Sequence, residues 1–315
     1  MSDKSTKPDL RAAMFDGGGD TFMGLPRRDV ADASPAKVAV LGADTATPYA
    51  SVGAYCARGA DAIREASAAD AGNRGHVNFD TGDVAIPEGF AVDCANIPTA
   101  EDHVDMRSAI SAAVTSLSAQ GVVPILLGGD DSIPIPVIAA LGPDPLWIVQ
   151  IDAHIDWRSE VGGERWGLSS TMRRASEMNH VAGIIQIGQR GLGSARPADR
   201  DEAVAWGAHL YPARSLIRND PLSELPDQAR VAVVFDFDAL DPSIMPALIA
   251  PTAGGLDYWQ VVTLFERIAA RANIEAITMC EFMASRDRDR VGATLGAQLL
   301  TTWIGVLAAK ERHEA

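Results

Sequence analysis

Three short runs carry most of the chemistry this chain could do. LLGGDDS contains Asp130, Asp131 and Ser132; VQIDAHID contains Asp152, His154 and Asp156; VVFDFDALDP contains Asp236, Asp238 and Asp241. Each acid cluster terminates an apolar run of β-strand character, and in open parallel sheets ligands bind beyond the carboxyl ends of the strands. Gathering so many like charges in a partly dry cleft is costly unless cations offset them. Extended chain alternates faces, so Asp152, His154 and Asp156 are expected to project to one side, with Asp236 and Asp238 repeating the device. Oxygen and nitrogen donors on two strand ends, with carboxylates able to bridge, suit two divalent metals about 3.5–4 Å apart. The ligand set is hard, which favours Mn²⁺-like ions, and the histidine keeps Ni²⁺ and Co²⁺ in play.

Regular elements must position these residues. From Lys37 onward, KVAVLG precedes AIREAS, HVNFDTGD precedes an amphipathic stretch from Glu101 to Gln120, and VVPILLGG precedes PIPVIAAL. LWIVQIDAH, GIIQIGQRG, VAVVFDFD and IEAITMCEF continue the series, with DYWQVVTLFERIAARA between the last two. A final helix is expected from about Gly292 to Ala309, ending in a frayed KERHEA tail. Near-continuous apolar strands alternating with helices predict an α/β fold, a mostly parallel sheet covered on both faces. Residues 1–25 read as an N-terminal arm and glycine-rich loop, and 26–315 as a single domain, since no repeat, Pro-rich linker or charge block interrupts them.

Composition narrows the partners. With 27 basic against 42 acidic residues in 315, the formal net charge of -15 disfavours nucleic acid and anionic membrane and suits a cationic small molecule. Cys56, Cys94 and Cys280 form no CxxC pair, which argues against a disulfide framework or structural zinc and for a reducing cytoplasm. With no apolar leader at the N-terminus and no stretch of about 18 apolar residues expected to span a bilayer, neither export nor a membrane span is expected.

In order and spacing, GGDDS, DAHID, FDFDALDP followed by APTAGGL, and Glu281 after an apolar strand resemble the signature blocks of the ureohydrolase family, which includes arginase and agmatinase. FMGLP, AIREAS, FDTGDV and IQIGQRG extend the likeness over nearly the whole chain. The resemblance implies an arginase-like three-layer αβα sandwich and a binuclear manganese or nickel centre that hydrolyses guanidino or amidino C–N bonds. It further implies that Asp152 and Asp236 bridge both metals, that Asp131 and Asp156 complete one, and that His154 and Asp238 complete the other. Glu281 would pair with the substrate's cationic nitrogen group, and Glu281 and Asp156 would be the catalytic residues. The implied reaction is attack of a metal-bridging hydroxide on the guanidinium carbon, giving urea or a urea analogue and an amine. Guanidine, agmatine-like compounds and biguanides such as metformin are the implied substrates, and EFMASRDRDRVGATLGAQLL is similar to the guanidine and biguanide branch. A trimer or hexamer, of one chain or of two homologous ones, is implied too.

The chain departs from that family at several positions. Asp131 stands where GGDHS has a histidine, so five ligand carboxylates face two divalent ions and leave one negative charge uncompensated. Trp166, in ERWGLSS, stands where relatives commonly have a His-Gly pair thought to shuttle protons; an indole cannot do so, and Trp166 is expected beside the substrate instead. Val234 and Ala247 replace a usual Ser and Gly. Together these departures raise an alternative, a catalytically silent or supporting subunit whose metal site is incomplete while a sister chain does the chemistry.

Overall fold

Val-, Ile- and Leu-rich runs do become strands, and the computed structural model, which describes residues 20–314, gathers eight of them into one parallel sheet. They are β1 (Val38–Gly42), β4 (Ala91–Asn96), β5 (Val123–Leu127), β6 (Leu146–Ile151), β7 (Val181–Ile187), β8 (His209–Tyr211), β9 (Arg230–Asp236) and β10 (Asn273–Cys280). Their order across the sheet is β4-β1-β5-β10-β9-β6-β7-β8. The arm expected over residues 1–25 lies largely outside the described residues.

Among the described residues, seven helices cover the sheet: α1 (Gly59–Ser67), α2 (His103–Ala119), α3 (Pro134–Ala140), α4 (Thr171–Ser176), α5 (Pro197–Trp206), α6 (Tyr258–Arg271) and α7 (Val291–Glu314). Alternate residues of each strand feed two separate cores. Val38, Ile125, Val149, Val233 and Ile277 pack with α1, α6 and α7, whereas Ala39, Leu126, Ile148, Ala232 and Ala276 pack with α2 to α5. This is the three-layer αβα arrangement, with a parallel sheet buried on both faces. Helix starts follow the local chemistry: the Asp102 carboxylate accepts from Val104 and Asp105 backbone N–H groups at α2, and Asp257 and Gln260 form a capping box at α6.

Some elements differ from expectation. HVNFDTGD forms only a two-stranded hairpin, β2 (Val77–Asn78) with β3 (Asp83–Val84), outside the main sheet. Strand β4 escapes an apolar-run criterion because AVDCAN carries Asp93, fully buried against Arg64 at 2.8 Å. Strand β8 escapes it by brevity, and α4 and α5 because their sequences are polar. Helix α7 does not fray at KERHEA but runs on to Glu314, its last turns tied down by Lys37–Glu311 and Asp83–Arg312 ion pairs. The same helix is long and apolar enough to cross a membrane, contrary to the sequence reading. Two thirds of that stretch is buried, against α1, α6 and the sheet, so its apolar character is spent on the core. Arg286 donates to the Leu248 and Ile249 carbonyls, and Asp287 accepts from the Gly292 and Ala293 N–H groups at the start of α7.

Candidate metal centre

The strand order decides where the acids meet. β5, β10, β9 and β6 are neighbours, so Asp131 after β5, Glu281 after β10, Asp236 closing β9, and Asp152 after β6 share one rim. All four lie at carboxyl ends of parallel strands, where side chains escape the hydrogen-bonded ladder. Gly128 and Gly129 let the loop after β5 lie flat: a Cβ at Gly129 would stand 2.0 Å from the Asp44 carbonyl, and one at Gly128 2.6 Å from Cys280 Sγ.

The acids converge by turns rather than by the alternation of extended chain. β6 ends at Ile151, Asp152 to His154 lie in bends, and Asp156 just beyond them has φ 42°. Asp236 is the last residue of β9 and caps the short turn Phe237–Ala239, accepting the Asp238 N–H at 2.6 Å. Glu281 has φ 71°. Left-handed backbone at two bulky acidic residues costs about 1–3 kcal/mol each and persists where surrounding structure imposes it.

Two groups of donor atoms emerge, Asp131–Asp152–Asp156 and Asp152–His154–Asp238, each with its atoms within 4.8 Å of one another. They share Asp152. Asp236 belongs to neither group, although it lines the same cavity. His154 Nδ1 lies 2.9 Å from Asp238 Oδ2 and 3.4 Å from Asp152 Oδ1. Both carboxylate oxygens of Asp131 are buried without a hydrogen-bond partner among the described residues. A buried, unpartnered carboxylate is rare in folded proteins and is what a ligand awaiting a cation looks like.

The electrostatics agree. Burial, reinforced by Asp156 and Asp152, holds the Asp131 carboxyl well above its ordinary range. Burial and then Asp152 do the same for Asp156, and burial and then Asp238 for Asp236. His154 is pushed up to about 12: burial opposes the charge, but the Asp152 and Asp238 carboxylates outweigh it. Asp238 is held low because His154 overcomes its burial. The site as built demands positive charge, and divalent ions would supply it.

Around the donors stands a frame that sequence reasoning missed. One amide nitrogen, Gln150 Nε2, donates to Asp152 Oδ2 at 2.6 Å and to Asp156 Oδ2 at 2.7 Å. Gln186, its register partner on β7, donates to Gln150 Oε1 and, at 2.8 Å, to the Ile155 carbonyl. Arg190 donates to the Asp238, Leu240 and Thr252 carbonyls, clamping the turn after β9. Asp130 accepts from Thr45 and Ser132.

Glu281 is held by the Asp131 N–H at 2.8 Å, and the Tyr55 hydroxyl reaches both its oxygens, at 2.7 and 2.6 Å. Burial raises the Glu281 carboxyl to about 8, with the Tyr55 hydrogen bond pulling the other way. Tyr55 comes from the loop after β1, which carries no motif. Trp166, expected beside the substrate, is not among the described residues lining the cavity. It stands half-exposed with the Arg107 guanidinium 5.0 Å from its ring centroid. The cavity itself, about 180 Å³, is lined by Asp131, His154, Asp156, Asp236, Asp238 and Glu281 together with residues of the segments 155–169, 193–199 and 249–250.

Comparison with known proteins places this geometry. The model of the arginase family matches residues 36–305. The N(1)-aminopropylagmatine ureohydrolase of Thermus thermophilus is 34% identical over 167 residues, which is 50% of this chain and 54% of that protein. The chain thus spans about half the length of that relative. The agmatinase of Pyrococcus horikoshii is 27% identical over 237 residues, 73% of this chain and 75% of its own. Among solved structures, the agmatine ureohydrolase of Thermoplasma volcanium superposes with a TM-score of 0.77 at 22% identity, over 98% of this chain and 100% of that one.

Proposed function

The chain belongs to the arginase family, and from that premise we propose that it hydrolyses a C–N bond of a guanidino compound, giving urea or a urea analogue and an amine. The observation that carries the reading is Asp131: two buried, unpartnered oxygens beside two donor groups that share Asp152. The residues fit two divalent ions, Mn²⁺ or Ni²⁺. Asp131 and Asp156 would hold one, His154 and Asp238 the other, and Asp152 and Asp236 both. Bound there, the ions would supply Lewis acidity and a water of lowered pKa.

The protein's own groups do the rest. Glu281 offers a carboxylate to the guanidinium, and Tyr55 and the Asp131 N–H fix its orientation. Holding the target carbon in one pose is worth several kcal/mol when the reacting geometry is matched. Gln150 keeps Asp152 and Asp156 apart and aimed. Guanidine, agmatine-like compounds and biguanides belong on the substrate panel. The agmatinase names of the relatives support the agmatine-like class, and the C-terminal sequence likeness supports the biguanides. We also infer a trimer or hexamer and a cytoplasmic location, the latter supported by three free cysteines.

A second reading, a supporting subunit of a mixed oligomer, is favoured by Trp166, which lines no part of the cavity and carries no titratable proton. One experiment weighs both readings: metal content per chain after growth with Mn²⁺ and Ni²⁺, beside urea release from the panel. Near two equivalents with turnover supports the enzyme, and fewer than two without turnover supports the supporting subunit, whose centre is incomplete. Under about 0.3 equivalents removes the binuclear centre, since six donors of this kind bind divalent ions tightly.

A further inference from the structure

The two donor groups of the centre differ in kind, and the reaction proposed above makes no use of the difference. Asp131, Asp152 and Asp156 offer oxygen alone, whereas Asp152, His154 and Asp238 include an imidazole nitrogen. Asp236 adds one more carboxylate to the same cavity, so the contrast remains whichever group it serves.

The shared residue keeps the groups distinct. Asp152 Oδ2 shares the Gln150 amide nitrogen with Asp156 Oδ2, at 2.6 and 2.7 Å, and so lies on the Asp156 side. Asp152 Oδ1 accepts the His154 backbone N–H and lies 3.4 Å from His154 Nδ1. One carboxylate thus turns an oxygen to each group. On the imidazole side, Asp238 Oδ1 accepts the Ala153 N–H at 3.0 Å, which leaves Asp238 Oδ2 to His154 Nδ1, 2.9 Å away. On the oxygen side, the Asp131 N–H donates to Glu281 and the Asp131 carbonyl accepts from the Thr171 hydroxyl. Its main chain is therefore fixed, while both its carboxylate oxygens are buried without a hydrogen-bond partner among the described residues.

Donor type sorts divalent ions. Carboxylate oxygens suit Mg²⁺, Ca²⁺ and Mn²⁺, whereas imidazole suits Ni²⁺ and Zn²⁺, so a nitrogen donor steepens the preference for Ni²⁺ over Mn²⁺. We propose that the centre is built for two different metals, a hard ion of the Mn²⁺ kind at Asp131, Asp152 and Asp156, and an ion of the Ni²⁺ kind at Asp152, His154 and Asp238. The proposal rests on the binuclear reading above and adds which ion each group takes.

The test is displacement on the full chain, loaded with Mn²⁺ and titrated with Ni²⁺ at buffered free concentrations. Bound metal is counted by mass spectrometry, and X-ray absorption at the Ni and Mn edges reports imidazole scattering around each ion. The expected result is displacement in two steps whose midpoints differ by at least about 10-fold in free Ni²⁺, since only one group carries an imidazole. Between the steps each chain should hold one Ni and one Mn, with imidazole scattering at the Ni edge alone. Asp131→His gives each group a nitrogen and should draw the midpoints to within about 3-fold, and His154→Asp should do the same by leaving oxygen in both. A single step in the unaltered chain overturns the proposal whether or not the variants fold. So does imidazole scattering around the remaining Mn, uptake of only one ion per chain, or a separation that survives His154→Asp. A chain that takes up neither Mn²⁺ nor Ni²⁺ removes the binuclear reading itself. Division of the ions without urea release leaves the proposal standing and removes the hydrolase reading.

Discussion

Gln150→Leu is the perturbation from which the frame of the site can be measured. The two N–H bonds of one amide nitrogen are shared between Asp152 Oδ2 at 2.6 Å and Asp156 Oδ2 at 2.7 Å, so leucine deletes both carboxylate contacts, and the Gln186 bond to Gln150 Oε1 with them, at nearly constant volume. A hydrogen bond to a charged group contributes about 1.5–3 kcal/mol, so the pair amounts to about 3–6 kcal/mol before relaxation. Gln186 keeps its Ile155 carbonyl, which limits the collateral loss. Allowing half for relaxation leaves about 1.5–3 kcal/mol in positioning, or about 10- to 100-fold in metal affinity. That matches the range for residues that orient ligands without touching the ion. The assay is competition of the purified chain against a chelator of known Mn²⁺ affinity, with circular dichroism melting as the control for folding. Gln150→Glu separates charge from shape: ionised, it cannot donate and adds a negative charge, so it should weaken Mn²⁺ binding at least as much as leucine. Manganese affinity within about 2-fold of the unaltered chain in Gln150→Leu would refute the reasoning, since two hydrogen bonds of this kind cannot both be silent.

Three further outcomes are expected. Gly129→Ala should destabilise the chain by about 3 kcal/mol or more, read in urea denaturation, because its Cβ would overlap the Asp44 carbonyl at 2.0 Å. Tyr55→Phe should raise KM for a guanidino substrate by about 10-fold with kcat changed far less, since it loosens Glu281 without touching the reacting carbon; an unchanged KM counts against the assignment. The metal-free chain should lose thermal stability as pH rises from 5 to 8, measured in chelator. Folded Asp131, Asp156 and Asp236 hold protons that the unfolded chain releases near about pH 4, and proton retention in the folded state lowers stability as pH climbs. His154, held up to about 12, acts in the same direction; Asp238, held low, is ionised in both states over this range and leaves the trend unchanged, and metal loading should abolish it.

Much of the fold was legible because buried parallel strands write themselves as unbroken apolar runs. The strands that were missed show the limits: β4 carries a buried aspartate whose partner Arg64 is 29 residues away, a pairing invisible without the fold. The acid clusters were legible because strand ends in α/β sheets gather polar groups. Their mutual geometry was not, since bends and a short turn, rather than alternation along extended chain, bring Asp152, His154 and Asp156 together. A usable signal was overlooked in Gln150 and Gln186. Each interrupts an otherwise apolar strand two residues before its acids or glycine begin, and each is buried. Tyr55 left no such trace, because a loop residue acquires its role only when the chain folds back on the cavity.

The left-handed backbone at Asp156 and Glu281 bears on how this protein can be altered in the laboratory. Glycine at either position would relieve about 1 kcal/mol of steric cost while deleting a cavity carboxylate. Selection for heat resistance alone, on libraries of this chain, should therefore enrich glycine or asparagine at these two places. The winners would be sturdier proteins with an emptied centre, so any such campaign has to select for turnover in the same round.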